Sequence, residues 1–292
     1  AYLKRGETYH RRGDLAAALR DLTRASALAP EATRPRERLG DVSQALGRHE
    51  EAAGHYAAYV ARDDRAPRVL YKLALAHHRA GRTTRTIPLV RQAAELAPEM
   101  PEAHYLLGIS LWERNRLDPA TEALTRALTL SPGFTIAREA LGGVFAAAGR
   151  LDEQVEQLEA LAALEPDRPE RDVALGLAYA SIGRTDMAVL ALGRAAEEHP
   201  DQLWFRLGLV EVAMDEGNYD VAISQAERVL DLSPNNYPAS ILLSKALLRS
   251  EQPARALPLL KPLLGDRPNN PYIWDLAADA YGNSGDKIRA LH

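Results

Sequence analysis

Two punctuation marks recur along this chain at a single spacing. Prolines stand at Pro30, Pro98, Pro132, Pro166, Pro200, Pro234 and Pro268, every interval being a multiple of 34, with one gap at Asp64. Glycines stand at Gly13, Gly47, Gly81, Gly149, Gly183, Gly217 and Gly285 with the same period. Asn115 and Glu251 fill the two glycine vacancies, and Asn accepts a positive φ more readily than Glu. Two independent marks kept in phase over 292 residues define a 34-residue repeat.

Each repeat holds two apolar-periodic stretches of 12–14 residues, one before the glycine and one before the proline. In residues 101–134, Tyr105, Leu107, Gly108 and Leu111 fall at helical spacing, and Ala120, Leu124 and Ala127 do the same. No stretch shows the period-2 alternation of a strand. The glycine ends the first helix by turning left-handed; the proline ends the second because it cannot continue the hydrogen-bond ladder. The expected unit is an antiparallel helical hairpin. Repeats fall at about 1–32, 33–66, 67–100, 101–134, 135–168, 169–202, 203–236 and 237–270, with a partial one at 271–292.

The chain resembles the tetratricopeptide repeat family over essentially its whole length. The family asks for a small residue where the two helices cross. Gly6, Gly40, Ala74, Gly108, Gly142, Gly176, Ser244 and Ala278 supply it, and Val210 departs. A matching Ala in the second helix stands at Ala18, Ala52, Ala120, Ala188, Ala222, Ala256 and Ala290, with Thr86 and Gln154 as exceptions. Closely spaced helix axes leave no room there for a large side chain. Larger residues, among them Tyr9, Phe145, Tyr179 and Tyr281, fill the neighbouring layer. The resemblance implies an all-α, right-handed superhelical solenoid in one domain over 1–292.

Three irregularities stand out. Pro119 and Pro253 fall in the first turn of their helices, whereas Pro88, Pro258 and Pro262 lie deeper and are expected to kink or shorten theirs, unless an outer face tolerates them. Thr occurs eleven times in residues 1–200 and never afterwards, while Asn occurs once before and six times after, in part in Pro-Asn-Asn turns at 234–236 and 268–270. That shift reads either as drift between repeats or as a fusion seam near 201–203. The start at Ala1, without an initiator Met or signal sequence, and the end at His292 inside a second helix read as a piece of a longer product. A cut end of this kind is expected to self-associate.

Signals for catalysis are absent. No phosphate loop or dinucleotide turn occurs, and Gly108-Ile109-Ser110-Leu111-Trp112 neither completes a nucleophile elbow nor sits on a turn. His49 and His55 are six apart, not the four that face one zinc, and the adjacent His77 and His78 diverge on a helix. These histidines read as surface or packing residues. The chain has no Cys, which removes thiolate chemistry, and no cofactor or metal site is read from it. A net charge of −4 argues against general nucleic-acid binding, and no apolar run approaches the ~20 residues of a membrane-spanning helix.

Binding remains. The resemblance implies that first helices line a concave face that holds extended or helical peptides. Its inner positions offer Arg34, Arg38, Arg68, Tyr71, Lys72 and Arg79, then Tyr105, Ile109 and Trp112, then Ala140, Gly143, Ala146, Val173 and Leu177, then Trp204, Leu207, Glu211, Asp215, Asp275 and Asp279. Residues 1–100 carry 18 Lys+Arg against 12 Asp+Glu, residues 101–200 carry 9 against 16, and the rest 9 against 12. A groove basic at one end and acidic at the other orients a ligand of opposite polarity, although the same charges also suit a solvated face. Trp112 and Trp204 are either anchors or covers for neighbouring repeats. The seven Asn miss both the inner positions of the chaperone-binding clamp and those of the glycosyltransferase-linked Asn ladder. Asn269–Leu291 is faintly similar to the repeat tail of bacterial periplasmic zinc metalloproteases. The expected function is a non-catalytic scaffold for a protein or peptide. The alternatives are the recruiting arm of a larger enzyme, such as a metalloprotease or transferase, and an engineered solenoid.

Overall fold

The computed structural model describes residues 1–284; Gly285, Ala290, Leu291 and His292, with the expected last second helix, lie outside the described residues. Among the described residues every regular element is helical. The chain divides into two compact units, Ala1–Arg150 and Leu151–His292. The first unit holds α1 (Tyr2–Arg11), α2 (Leu15–Leu28), α3 (Thr33–Ala45), α4 (His49–Val60), α5 (Pro67–Arg79), α6 (Thr83–Leu96), α7 (Pro101–Trp112), α8 (Leu117–Leu130) and α9 (Thr135–Ala147). The second holds α10 (Leu151–Leu164), α11 (Pro169–Ser181), α12 (Thr185–Glu198), α13 (Leu203–Asp215), α14 (Tyr219–Leu232), α15 (Tyr237–Arg249), α16 (Pro253–Asp266) and α17 (Pro271–Asn283). From α3 onward each odd-numbered helix starts one repeat length after the previous one, and from α2 each even-numbered helix does the same.

The punctuation acts as its chemistry dictates. Gly13, Gly47, Gly81, Gly149, Gly183 and Gly217 all have φ between 70° and 80°, and Asn115 (55°) and Glu251 (60°) hold the same left-handed position without a glycine. Residues just before the ladder prolines, such as Ala29 (φ −138°, ψ 74°) and Ser233 (φ −143°, ψ 83°), leave helical space because a following proline crowds it. At the gap in the ladder, α4 stops two residues sooner than its counterparts, at Val60, with Ala61 still helical in its torsions. Proline therefore sets where these helices end, but a helix without it still stops.

A second device pins the turns. Arg36 donates to the carbonyl of Pro30 (2.6 Å), His104 Nε2–H to that of Pro98 (3.0 Å), Arg138 to that of Pro132 (3.0 Å) and the Trp274 indole to that of Pro268 (2.8 Å). Each bond runs six residues back and satisfies an oxygen that the ended helix leaves without a partner. The Pro-Asn-Asn turns also gain a role. Asn236 accepts from the Ala239 N–H (3.0 Å) and Asn270 from the Tyr272 N–H (3.1 Å), and Asn218 caps α14 in the same way. Half of the late-sequence Asn are thus helix caps.

Inside the hairpins a small residue on the first helix faces a large one on the second. A Cβ on Gly6 would come within 2.8 Å of Leu22, on Gly108 within 2.6 Å of Leu124, and on Gly176 within 2.6 Å of Leu192. Val210, the departure from the family pattern, is fully buried; Ala226, at the place that Leu124 and Leu192 take in their hairpins, is also fully buried in the same cluster. The sizes are exchanged and the volume is kept. The inner prolines do not shorten their helices: α6, with Pro88, and α16, with Pro258 and Pro262, both run 14 residues, as α2 and α8 do. All three prolines are exposed, so the carbonyls they leave free meet water. Thr86, in the Ala position of α6, buries its hydroxyl 3.3 Å from the carbonyls of Ala74 and Arg82.

Candidate binding face of the first helices

Within each unit the odd-numbered helices touch their odd-numbered neighbours, as in α1 with α3, α5 with α7, and α13 with α15 and then α17. No pair of even-numbered helices approaches as closely among the described residues. The odd helices therefore line the inner face of each unit. Their register is fixed by contacts. In the 34-residue frame that makes Thr33 and Pro67 position one, position nine of one odd helix lies against position six of the next: Glu7 meets Arg38 (3.1 Å), and Asp41 meets Lys72 (2.8 Å).

That register reinterprets the cations read from the sequence. Arg34 pairs with Glu7 (2.9 Å), Arg38 bridges Glu7 and Asp41 (2.9 Å), and Lys72 bridges Asp41 and Glu37 (2.6 Å). The Tyr56 hydroxyl also donates to Asp41 (2.9 Å), and burial beside that carboxylate holds its proton more tightly than in water. Arg34, Arg38 and Lys72 are therefore neutralised by Glu7, Glu37 and Asp41 and do not form a free basic end. Sequence reading missed the three acids because it weighed the cations alone. Their constant offset, from position nine to the next position six, was available in the repeat frame. Arg68 and Arg79 are exposed and form no ion pair among the described residues.

The apolar candidates divide in two. Tyr71 and Ile109 are half-buried against the cluster of Ala74, Val90 and Leu106. Tyr105 tilts against Phe134 with centroids 5.3 Å apart, and burial raises the pKa of the Tyr71 and Tyr105 hydroxyls. Trp112 lies so close over α9 that a Cβ on Gly143 would sit 2.5 Å from its indole. These side chains form the floor of the first unit's face, and Trp112 covers the next repeat. In the second unit Leu177 and Trp204 are each 48% exposed, while Leu207 is half-buried. Leu177 holds position nine, and the residue at the next position six is Gly208, which has no side chain. Trp204 rests edge-on against Phe205 (4.1 Å) and donates its indole N–H to Gln202 (3.1 Å).

His49 bonds Gln44 (3.2 Å), His78 stands 3.6 Å from Glu113, and His77 is buried, with its pKa lowered by that burial and by Arg85 and Arg82. Among the described residues no group of His, Asp or Glu is placed to hold a metal ion, and no helix is long and apolar enough to cross a membrane.

Stacked two-helix repeats with a side-chain-rich inner face define a helical-hairpin repeat protein. Tetratricopeptide repeat family models match residues 3–67, 37–101, 71–133, 105–169 and 173–237, and another matches 213–280. The chain belongs to the tetratricopeptide repeat family. No curated protein matches it. Among solved structures it is similar to the C-terminal part of a TPR repeat-containing protein from Cytophaga hutchinsonii (12% identity, 82% of this chain and 99% of that one, TM-score 0.70). It is also similar to YrrB, described as a TPR protein with an unusual peptide-binding site (22%, 63% and 95%, 0.55), and to MamA (22%, 56% and 90%, 0.54). At these identities the likeness is one of fold.

Proposed function

We propose that the chain is a non-catalytic scaffold that binds a peptide or protein segment on the inner face of its first helices. The observation that carries this reading is the pair Leu177 and Trp204, large apolar side chains left about half exposed on that face. Leaving such surface in water is unfavourable, and a partner that covers it gains the corresponding burial. The peptide-binding site named for YrrB supports the same use of a related fold. Leu207 lies with Trp204 on α13, and in the first unit Arg68, Tyr71, Tyr105 and Ile109 line the inner helices above Trp112.

The test is selection of a displayed library of random 12-residue peptides on the whole chain, followed by affinity measurement by fluorescence anisotropy. Enriched peptides are expected to lose at least tenfold in affinity on Trp204→Ala combined with Leu177→Ser, because an exposed aromatic anchor carries a large share of binding. Failure to enrich any peptide, or binding indifferent to this double substitution, refutes the assignment.

A further inference from the structure

The same repeat frame applied to the second unit puts different residues at these positions. Lys245 (position nine of α15) and Leu276 (position six of α17) both line one cleft. In that frame the position-six residues that follow Glu211 and Lys245 are Leu242 and Leu276, leucines where the first unit places Arg38 and Lys72. The inner face thus carries Glu211 and Asp215 on α13, Lys245 and Arg249 on α15, and Asp275 and Asp279 on α17. None of the six forms an ion pair among the described residues, and all except half-buried Lys245 are exposed. The four carboxylates outnumber the two cations. Beside them, on α11 and α13, lie Leu177, Trp204 and Leu207. A cleft of about 960 Å³ opens between α15 and α17, lined by Lys245, Leu248, Arg249, Tyr272, Asp275 and Asp279, a size that accommodates a ligand of several residues.

Resting on the binding reading above, we infer that the partner is a peptide segment rich in Lys or Arg beside apolar residues, and that it seats on the second unit. Its apolar side chains cover Leu177, Trp204 and Leu207. Its cations meet Glu211 and Asp215 on one side and Asp275 and Asp279 on the other. Lys245 and Arg249 form a cationic row between the two acidic ones, which fixes where an acidic group or a carbonyl of the segment falls and so gives the peptide a direction. The first unit does not compete for such a ligand, because Arg38 and Lys72 already occupy its acids.

The selected peptides provide the probe. They are expected to carry more Lys and Arg than Asp and Glu, and to lose at least tenfold in affinity between 50 and 500 mM NaCl, since exposed charges are screened at that ionic strength. Glu211→Lys with Asp215→Lys, both at exposed sites, is expected to weaken them at least tenfold. Leu242→Lys, which builds the first unit's internal pair against Glu211, is expected to weaken them severalfold, with helix content checked by circular dichroism. The acidic-site pair of substitutions keeps the test decisive where Leu242→Lys disturbs folding. Peptides that depend on Trp204 but are neutral or acidic, or that ignore the Glu211 and Asp215 substitutions, overturn this inference and leave the binding reading standing. So do peptides lost only on Arg68→Glu with Arg79→Glu. Peptides indifferent to Trp204 and Leu177 remove both.

Discussion

Substituting Val210→Gly and Ala226→Leu, singly and together, tests whether the two positions share one volume. Val210 has no exposed surface, so Val210→Gly removes three buried carbons, about 2.4 kcal/mol at ~0.8 kcal/mol each, and adds about 1 kcal/mol for glycine inside a helix. Ala226 is equally buried, and a leucine there meets the Val210 side chain, an overpacking that costs about 1–3 kcal/mol. Additive behaviour gives a loss of about 5 kcal/mol for the pair. If the two positions exchange size as Gly108 and Leu124 do, the double variant rebuilds that arrangement and retains mainly the glycine cost. The expected loss is then about 1–2 kcal/mol and the coupling about 3 kcal/mol. Repeat arrays do not unfold in one step, so the measurement is hydrogen exchange of the α13 and α14 amides rather than a global melt. A double variant whose loss equals the sum of the singles within about 0.5 kcal/mol refutes the shared-volume argument.

Asp41→Asn removes the charge shared by Arg38 and Lys72 and one of the two oxygens that accept from Arg38, Lys72 and Tyr56, and is expected to cost the α3–α5 segment about 1–2 kcal/mol by hydrogen exchange, whereas Glu31→Gln, at an exposed pair with Arg62, changes little. Glu251→Gly relieves a left-handed non-glycine residue and is expected to stabilise the α15–α16 hairpin by about 0.5–1 kcal/mol, read as slower exchange there. His77 is buried with its pKa held below the ordinary value of 6.5, so the unfolded chain takes up its proton first. Stability from this group is complete above pH 6.5 and is lost as pH falls through the lowered folded value. His77→Gln is expected to flatten the pH dependence, between pH 7 and 5, of the opening free energy read by hydrogen exchange of the α5 amides, and an unchanged slope refutes the assignment.

The period, the hairpins and the left-handed glycine positions were legible because each follows from backbone chemistry at one residue: a proline without an N–H, a glycine without a Cβ. Even the vacancies at Asn115 and Glu251 read correctly, since position rather than residue type forces the torsion. Side-chain function was less legible. Arg36, His104, Arg138 and Trp274 perform one task, clamping a proline carbonyl six residues back, yet share nothing but a donor. For Pro88, Pro258 and Pro262 the sequence leaves disruption and tolerance both open, because it alone does not say which face of a helix meets water. For Trp112 the sequence leaves anchor and cover both open, because only the fold brings Gly143, one repeat on, under its indole.

The charges of the inner face separate by one offset, and that offset supports a converse experiment. In the first unit Glu7 and Asp41 face Arg38 and Lys72; in the second, the residues at those position-six places are Leu242 and Leu276. If internal pairing is what keeps the first unit from taking a cationic segment, then Arg38→Leu with Lys72→Leu releases Glu37 and Asp41 from their cations, Glu7 keeping Arg34, on a face that already carries Tyr71, Tyr105 and Ile109. Arg38 and Lys72 are about one-third exposed, so leucine fits there as it does at Leu242. The double variant is expected to bind the selected cationic peptides at a second, weaker site, doubling the stoichiometry measured by titration calorimetry at 50 mM NaCl. The added site should vanish at 500 mM. A stoichiometry that stays at one in a folded double variant means that pairing is not what distinguishes the two faces, and that shape, not free charge, selects the partner.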